Sequence, residues 1–445
     1  MRNFVDSITN LTGATQIDSP AERCRILFAD QLNLARGKYV PMSEAQKGHA
    51  RLCVGTFAVT YDKLMIPAPG GGVLDGLPDM EIVFDPETLR NSWEPKTTIA
   101  LGDLRTGGAS FPLCGRSALK RAIAAWRDRG LEPMIGLEME AYIFQRGKDG
   151  GWEPYDTPGA FVYGTGPFSD PAGLIDDIWT TAAACDLPIE SINAEFDAPQ
   201  FELTLKYADA LKAADDAFLF RQMAREILYR RGYLLSFLPK PFRGKSGSGL
   251  HINLSFQDDS GRNVFARDAE TGEPGKIMRG AIAGMLRHHR ALTGILAPLT
   301  NSYDRLQPGS LAGYWANWGV DHRSVTVRIS GEKGAGARLE HRLADCAASP
   351  YFAVAALLQA ALLGVEREYE LPVAEISDGI DNVSTREHAP ADLTEALGAL
   401  EEDELLRAAI GQEIVANFIA IKRKEVETLA GKPAQDQIDY YLHYI

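Results

Sequence analysis

The chain of 445 residues has few cysteines and no long apolar runs, and each scarcity excludes a class of protein. Its five cysteines are scattered, and no two have the CxxC spacing of a zinc or redox motif. We therefore expect no disulfide framework and predict a reducing, cytoplasmic compartment. No apolar stretch reaches the roughly 18 residues of a membrane span, so no membrane segment is expected.

Basic charge is also scarce, because 46 Lys and Arg stand against 60 Asp and Glu and the formal net charge is −14. This balance argues against a nucleic-acid backbone as a partner, since phosphate binding needs a basic surface. Any anionic ligand must instead be held by a local cluster of arginine and metal. The N-terminus, MRNFVDSITNLTG, lacks the basic segment and apolar run of a signal peptide, and none is expected.

The order of the predicted elements is that of an α+β protein. Short β-rich runs between Gly- and Pro-rich loops occupy residues 1–108 and predict a small sheet domain. Residues 109–445 combine amphipathic helices with strand-like segments, and helices fill about the last hundred residues. We predict a larger domain here, with a mostly antiparallel sheet covered by helices on one face.

Acidic residues recur at strand spacing. Glu138 and Glu140 share one face of the strand in GLEMEAYIF, because residues i and i+2 point the same way. Two glutamates at this spacing, without other evidence, usually belong to a solvent-exposed face of a strand. Other segments add ligands of the same chemistry: Glu195, Glu202, His251 in GLHINLSF and Glu340 in ARLEHRL. Five carboxylates and one imidazole could hold two hard cations if the strands line one cavity, which spacing alone does not establish.

A basic segment lies between these strands, NSYDRLQPGSLAGYWANWGVDHRSVTVRIS. It carries Arg305, Arg323 and Arg328, whose guanidinium groups suit carboxylate and phosphate oxygens. Considered one at a time, an arginine in such a segment is more often a surface residue than a ligand-binding residue. Arg323 and Arg328 are an odd number of positions apart, so a flat strand would separate them and a shared site needs a bend.

Taken together, these motifs resemble the glutamine synthetase family over nearly the whole chain. The resembling stretches, in order, are GLEMEAYIF, ESINAEFDAPQFELTL, LPKPFRGKSGSGLHINLSF, NSYDRLQPG, DHRSVTVRIS, ARLEHRLADCAASPYFAVAALLQAALLGV and IDYYLHYI. Each is modest alone, and their number and order are specific. The resemblance implies a β-grasp-like N-terminal domain, a catalytic domain, and self-association into a double-ring homo-oligomer, usually a dodecamer, with sites between subunits.

The resemblance also implies roles for individual residues. The metal ligands for Mg²⁺ or Mn²⁺ would be Glu140, Glu195 and Glu202 for one ion, and Glu138, His251 and Glu340 for the other. The ATP contacts would be Glu190, Asn253, Ser255 and Arg338, with Arg323 and Arg328 on the transferring phosphoryl group. The residues at the acid substrate would be Gly247, Ser246, Arg342 and the catalytic Arg305. The implied reaction phosphorylates the γ-carboxylate of glutamate with ATP, and a nitrogen nucleophile then displaces phosphate.

The sequence departs from the glutamine-forming pattern where ammonium would bind. The family's flap motif PGxE reads PGSL, which places Leu311 where a glutamate belongs, and CVGTFAVT (residues 53–60) lacks the aspartate of the family's FDGSS loop. A cation pocket without its anions should bind NH₄⁺ poorly. We expect an apolar pocket of Leu311, Tyr314 and Trp315 and a γ-glutamylamide synthetase, near the γ-glutamylpolyamine branch, that accepts an alkyl-, poly- or arylamine.

Two further departures affect the acid and nucleotide ends. Ser246 replaces the family's asparagine at the substrate α-amino group, and Asn253 replaces a histidine near ATP. The acid substrate is therefore glutamate or a close analogue. Two alternatives stay open: a true glutamine synthetase that uses ammonia, and a non-catalytic structural or regulatory relative. Amine-dependent release of ADP distinguishes the enzymes from the non-catalytic relative.

Overall fold

A computed structural model describes residues 20–266 and 272–445. The N-terminal segment on which the signal-peptide expectation rests lies outside these residues. Within the described ranges, no helix is both long and apolar enough to cross a membrane.

Two small sheets form the N-terminal part of the protein. Their strands are β1 (Arg23–Ala29), β2 (Ala35–Pro41), β3 (His49–Cys53), β4 (Asp79–Val83), β5 (Arg90–Asn91), β6 (Thr97–Leu101), β7 (Asp103–Thr106) and β8 (Ala109–Ser110), with a short helix α1 (Met42–Ala45). One sheet has the order β2-β1-β6-β5 and the other β3-β4-β7-β8. Pairing is antiparallel except between β1 and β6. This is the small β domain that the sequence predicts; its boundary at residue 108 stays a prediction.

A ten-stranded sheet forms the centre of the larger part. Its strands are β9 (Leu131–Arg146), β10 (Trp152–Pro154), β11 (Ile189–Ala194), β12 (Gln200–Leu205), β13 (Ala208–Asp209), β14 (Leu234–Ser236), β15 (Leu250–Asp258), β16 (Trp318–Val320), β17 (Val327–Ile329) and β18 (Leu339–His341). The main order is β11-β12-β9-β15-β18-β17-β16, and β10, β13 and β14 also pair with β9. The long strand β9 therefore organises the sheet.

Helices pack against this sheet and against one another. They are α2 (Gly115–Arg127), α3 (Leu174–Ala184), α4 (Ala210–Arg230), α5 (Lys276–Arg287), α6 (His289–Leu296), α7 (Ser302–Arg305), α8 (Pro350–Glu366), α9 (Leu393–Glu402), α10 (Glu404–Ile410), α11 (Gln412–Leu429) and α12 (Ala434–Leu442). Trp126 of α2 lies 4.0 Å from Phe256 of β15 between ring centroids. Helix α8 is apolar on every side and is the buried central helix. The architecture is α+β, as predicted.

The crossing of α5 and α8 depends on glycines. A Cβ at Gly284 would lie 2.0 Å from the Ala360 carbonyl oxygen, and one at Gly364 would lie 2.0 Å from the Gly280 carbonyl oxygen. The two backbones therefore touch directly, and even a methyl group would force the helices apart.

We predict that Gly284→Ala destabilises the protein by about 1–3 kcal/mol, because the added methyl group overpacks the α5–α8 crossing. The matched control is Gly398→Ala in α9, where no atom lies within 4 Å of the new Cβ. The control should be neutral or stabilising by up to about 1 kcal/mol, since alanine favours helix. Denaturant unfolding measures both, and equal stability of the two variants would contradict the close crossing.

Candidate active site

Strand pairing brings the predicted acidic residues onto one face of the large sheet. In the register of β9 with β12, Glu140 stands opposite Glu202, and in the register of β9 with β15, Glu138 stands opposite His251. Glu340 of β18 stands opposite Asn253 of β15. Three different strand pairs thus bring the acidic residues to neighbouring positions. The register supplies the proximity that sequence spacing alone could not establish.

His251 lies at the centre of this cluster and is buried. Its Nδ1 is 3.2 Å from Glu138 Oε2 and 3.6 Å from Glu340 Oε1, and its Nε2 is 3.6 Å from Glu140 Oε1. Two groups could each hold a metal ion, namely Glu138, His251 and Glu340, and Glu140, Glu202 and His251. The second group contains His251 where the sequence suggests Glu195, although Glu195 lies close enough to Glu140 for their charges to interact.

The two sides of the cluster differ in charge balance. Burial opposes ionisation of Glu340, but the positive charges of His251, Arg342 and Arg328 hold its pKa at about 2. Burial, together with the charge of Glu138, raises the pKa of Glu202 to about 7. On the Glu202 side, the charge of His251 offsets this effect only in part. Hard oxygen donors with an excess of negative charge fit a divalent ion such as Mg²⁺ or Mn²⁺.

Arginines border the Glu340 side. Arg328 donates from Nη1 to Glu340 Oε2 at 2.7 Å and from Nη2 to Asp321 Oδ1 at 2.6 Å. Arg342 also donates to Glu340. Arg323 lies in the turn before β17, exposed, and its charge acts on Glu195. Arg323 and Arg328 are thus separated by a turn and not by a flat strand. A bend of this kind is what a site shared by the two arginines requires.

Arg305 packs against a glycine-rich segment that precedes β15. It is buried, and it donates to the carbonyl oxygens of Leu343 at 2.7 Å and Arg342 at 3.1 Å. A Cβ at Gly247 would lie 2.6 Å from Arg305 Cγ, and one at Gly249 would lie 2.7 Å from its Nη2. A side chain at either position would therefore displace the arginine from its present place.

Ser246, at the start of this segment, has a partner that sequence reasoning missed. Its backbone nitrogen and its Oγ both donate to Asp197 Oδ2, at 2.5 and 2.7 Å. Its carbonyl oxygen accepts from the Tyr142 hydroxyl at 2.8 Å. Asp197 lies between β11 and β12, outside any strand, so strand spacing gave no signal for it.

A cavity of about 310 Å³ adjoins the cluster. The predicted nucleotide contacts Glu190, Asn253, Ser255 and Arg338 all line it, together with Glu138. Glu190 lies at a register shift in the pairing of β11 with β12. A shift of this kind interrupts the regular alternation of side chains between the two faces of the sheet. The lining also includes Tyr207 and Glu332, which sequence reasoning missed; Glu332 accepts from Arg338 Nη1 at 2.8 Å. Arg323 and Arg328 do not line this cavity.

The expected apolar pocket of Leu311, Tyr314 and Trp315 is wrong. The backbone of residues 314–316 pairs with residues 387–389, so the Tyr314 ring stacks on His388 at 5.2 Å. Trp315 packs edge-on against both rings and faces a different cavity, lined by residues 375–388. Gly313, with φ at +74°, turns the chain between Leu311 and these aromatics. Leu311 itself is half exposed.

Residues 53–60 pack against helix α11. They form a short 3₁₀ helix, Val54–Ala58, and the Phe57 carbonyl oxygen accepts from Asn417 of α11 at 2.9 Å.

His341 faces the core on the opposite side of β18 from Glu340 and is buried, in keeping with a structural role.

A sheet face that gathers carboxylates, an imidazole and arginines beside a cavity is suited to divalent ions and phosphoryl groups. Residues 112–441 match the family model described as glutamine synthetase, catalytic domain. The chain belongs to the glutamine synthetase family, and it is therefore a ligase of the glutamine synthetase type, which forms a C–N bond.

Relatives resemble the chain over most of its length. A glutamine synthetase of Pyrococcus abyssi is 31% identical over 91% of this chain and 90% of its own. One of Thermus thermophilus is 33% identical over 75% of this chain and 76% of its own. The solved structure "Apo GmaS without ligand" is 30% identical, covers 94% of this chain and 96% of its own, and has a TM-score of 0.80. The predicted family and fold class are confirmed.

We predict that Mg²⁺ or Mn²⁺ raises the melting temperature of the wild-type protein, since an ion at a hundredfold excess over Kd stabilises by about 2.7 kcal/mol. Glu202→Gln should lose most of this shift because it removes one charged oxygen from the cluster. Glu402→Gln, at the exposed end of α9, is the matched control and should keep the shift. A full shift in the Glu202 variant would exclude this carboxylate as a ligand.

The raised pKa of Glu202 also predicts a pH dependence in metal-free protein. Its pKa is about 7 in the folded state and ordinarily 4.5, so the folded state binds more protons between these values. Stability at this site is therefore greatest below pH 4.5 and is lost as the pH rises through about 7. With chelator at pH 8, Glu202→Gln should be more stable than wild type by about 1–3 kcal/mol. Urea unfolding from pH 5 to 8 measures the difference, which should shrink toward low pH.

Proposed function

We propose that the protein is an ATP-dependent ligase that joins the γ-carboxylate of glutamate, or of a close analogue, to an organic amine through a γ-glutamyl phosphate. The observation that carries this proposal is Leu311, an uncharged and half-exposed side chain at the flap position where a glutamine-forming enzyme has a glutamate. The acidic cluster and its arginines support the phosphoryl-transfer half.

Two divalent ions and ATP would supply the phosphoryl group and the positive charge that stabilises its transfer. In this proposal the ions are held by Glu140, Glu195 and Glu202, and by Glu138, His251 and Glu340. The nucleotide occupies the cavity lined by Glu190, Asn253, Ser255 and Arg338, where Gly136 leaves room because it has no side chain. The solved "GmaS/ADP complex-Conformation 1", 28% identical with a TM-score of 0.81, supports a nucleotide in a fold of this kind.

The arginines act on charge during the transfer. Arg323, exposed in its turn, and Arg328, whose guanidinium is fixed by Glu340, offer fork-shaped donors to phosphoryl oxygens. Arg305 and Arg342 lie deeper, where they hold the acid substrate. Because Arg305 is fixed by two carbonyl oxygens, its charge is already oriented before any substrate binds.

The nitrogen-accepting side lacks the carboxylate that ammonium binding requires. The described loop from Pro308 to Ala316 has no acidic residue, and Leu311 presents a hydrocarbon surface. An amine with an organic substituent gains from contact with such a surface, whereas NH₄⁺ does not. The proposal includes a cytoplasmic protein that self-associates, with residues 53–60 of a neighbouring subunit beside the site.

One alternative has specific support. Several relatives about 30% identical to this chain are named glutamine synthetase, which favours ammonia as the nucleophile. The two functions differ in product, and a screen with glutamate, ATP, Mg²⁺ and either ammonia or a mixed amine library separates them by mass spectrometry. Absence of ADP release with ammonia and with every amine would instead favour a non-catalytic relative.

We predict that the wild-type protein forms γ-glutamylamides at least about tenfold faster than glutamine, since an uncompensated ammonium site loses on the order of 1–2 kcal/mol. Leu311→Glu should shift the ratio toward glutamine by a similar factor. Leu311→Gln, which has the same shape without the charge, is the control and should not. Equal glutamine and glutamylamide formation by the wild-type protein would contradict the proposal.

A further inference from the structure

The turn that carries Arg323 lies outside the paired residues of β16 and β17. It comprises residues 321–324 and begins at Asp321, whose φ of +50° lies in the left-handed region. This backbone conformation is unfavourable for a residue with a side chain, so contacts with other parts of the protein must hold the turn. The side chain of Arg323 is exposed, and no hydrogen bond or ion pair fixes it among the described residues. Its place therefore depends on the backbone of the turn.

His322 joins this turn to a second segment of the chain. Its Nε2 donates to the carbonyl oxygen of Ser377 at 2.7 Å, and its Nδ1 accepts from the backbone nitrogen of Ser324 at 3.2 Å. Because a carbonyl oxygen only accepts and a backbone N–H only donates, these two partners assign the ring proton to Nε2. The imidazole is thus held at both nitrogens, one bond lying within the turn and the other leaving it.

The second segment, residues 375–389, is itself held at both ends, and we call it the support segment. The nitrogen of Glu375 donates to a carbonyl oxygen of β16 at 2.8 Å, and the nitrogen of Ala389 donates to that of Tyr314 at 2.8 Å. Between these ends, Asp378 Oδ1 accepts from three successive backbone nitrogens at 2.8–3.0 Å. The support segment is therefore a fixed structure against which the turn is held.

The backbone of the support segment also packs directly on the turn. A Cβ at Gly379, where φ is +65°, would lie 3.1 Å from Cε1 of His322 and 3.1 Å from Cβ of Ser324. A Cβ at Gly319 of β16 would lie 3.0 Å from Cβ of His322. Packing this close leaves no room for a further side chain. His322 therefore packs tightly against both β16 and the support segment.

We propose that His322 is a positioning residue, which holds the turn against the support segment so that the guanidinium of Arg323 meets the transferring phosphoryl group. An arginine on a mobile turn would lose conformational freedom in the transition state, and a fixed turn reduces that cost. The same turn also orients the second arginine of the proposed site, since Asp321 Oδ1 accepts from Arg328 Nη2 at 2.6 Å. This inference rests on the proposed function and adds to it a residue that acts through Arg323.

The two hydrogen bonds of His322 can be removed separately. The amide nitrogen of glutamine lies near the position of imidazole Nε2, so His322→Gln can still donate to Ser377. The amide oxygen of asparagine lies near the position of Nδ1, so His322→Asn can accept from Ser324 but does not reach Ser377. If the support segment holds the turn, glutamine should preserve function better than asparagine. A role confined to the turn predicts the reverse order.

The experiment is a double-mutant cycle of His322→Ala and Arg323→Ala, measured by ADP release with glutamate, ATP, Mg²⁺ and whichever nitrogen donor is turned over. His322→Ala should lower kcat about 3- to 10-fold, which is the net worth of one hydrogen bond, and leave the KM for ATP within about twofold. In the Arg323→Ala protein the same substitution should have little further effect, because the arginine that it positions is gone. His322→Gln should recover most of the wild-type kcat.

Gly379→Ala tests the same contact from the support segment. Its methyl group would press on His322 and Ser324, so kcat should fall by a similar factor. Gly431→Ala, between α11 and α12, is the matched control, because its φ of +70° carries a similar backbone cost and no atom lies within 4 Å of the new Cβ. Hydrogen exchange of the turn should become faster in His322→Ala and Gly379→Ala and stay unchanged in the control.

Three results would overturn the inference: additive effects of His322→Ala and Arg323→Ala, unchanged hydrogen exchange of the turn in His322→Ala, or a higher kcat for His322→Asn than for His322→Gln. Thermal unfolding of each variant establishes that it is folded. Turnover with ammonia alone would refute the proposed function and leave the cycle measurable. A wild-type protein that releases no ADP with any nitrogen donor would refute both.

Discussion

The register of β9 with its two neighbours is the constraint on which the site depends. A shift of one residue in either pairing would turn every side chain of the displaced strand to the other face. Glu140 would no longer face Glu202, and Glu138 would no longer face His251. The opposite face of β9 carries Leu137, Met139 and Ala141, which are buried in the core. Burial of these apolar residues holds the register and so keeps mutually repelling carboxylates together.

The cost of that proximity is distributed unevenly. Arg328 and Arg342 neutralise Glu340 within the protein, whereas no arginine of the described residues pairs with Glu202, and burial raises its pKa. The folded protein is thus preorganised on one side and left electrostatically incomplete on the other. A divalent ion that binds on the Glu202 side relieves the repulsion between the carboxylates, and this relief contributes to the free energy of binding. Ion binding is therefore coupled to the stability of the sheet.

Local periodicity was enough to place residues on a face, but not to join distant segments. The alternation in GLEMEAYIF and GLHINLSF correctly set Glu138 with Glu140 and His251 with Asn253. Asp197 escaped notice because it lies outside any strand, where no period applies. The aromatic pocket failed for a related reason: Tyr314 finds its partner His388 at a separation of 74 residues, a contact that no local pattern encodes. Pairings of this kind are set by tertiary packing.

The two halves of the proposed reaction place different demands on the scaffold. Activating a carboxylate requires fixed charges. Most of the charged residues of the cluster stand on paired strands, and Arg305 is tied to backbone carbonyl oxygens. In this proposal the choice of nitrogen nucleophile is made by loop residues, and Leu311 stands on such a loop, half exposed and outside the strands of the sheet. A substitution there would leave the register of the sheet unchanged, because Leu311 lies outside its strands. In the proposed reaction, one fold could therefore retain the phosphoryl-transfer residues while the nitrogen nucleophile changes. The reason is that the strand register of β9 does not depend on the loop that carries Leu311.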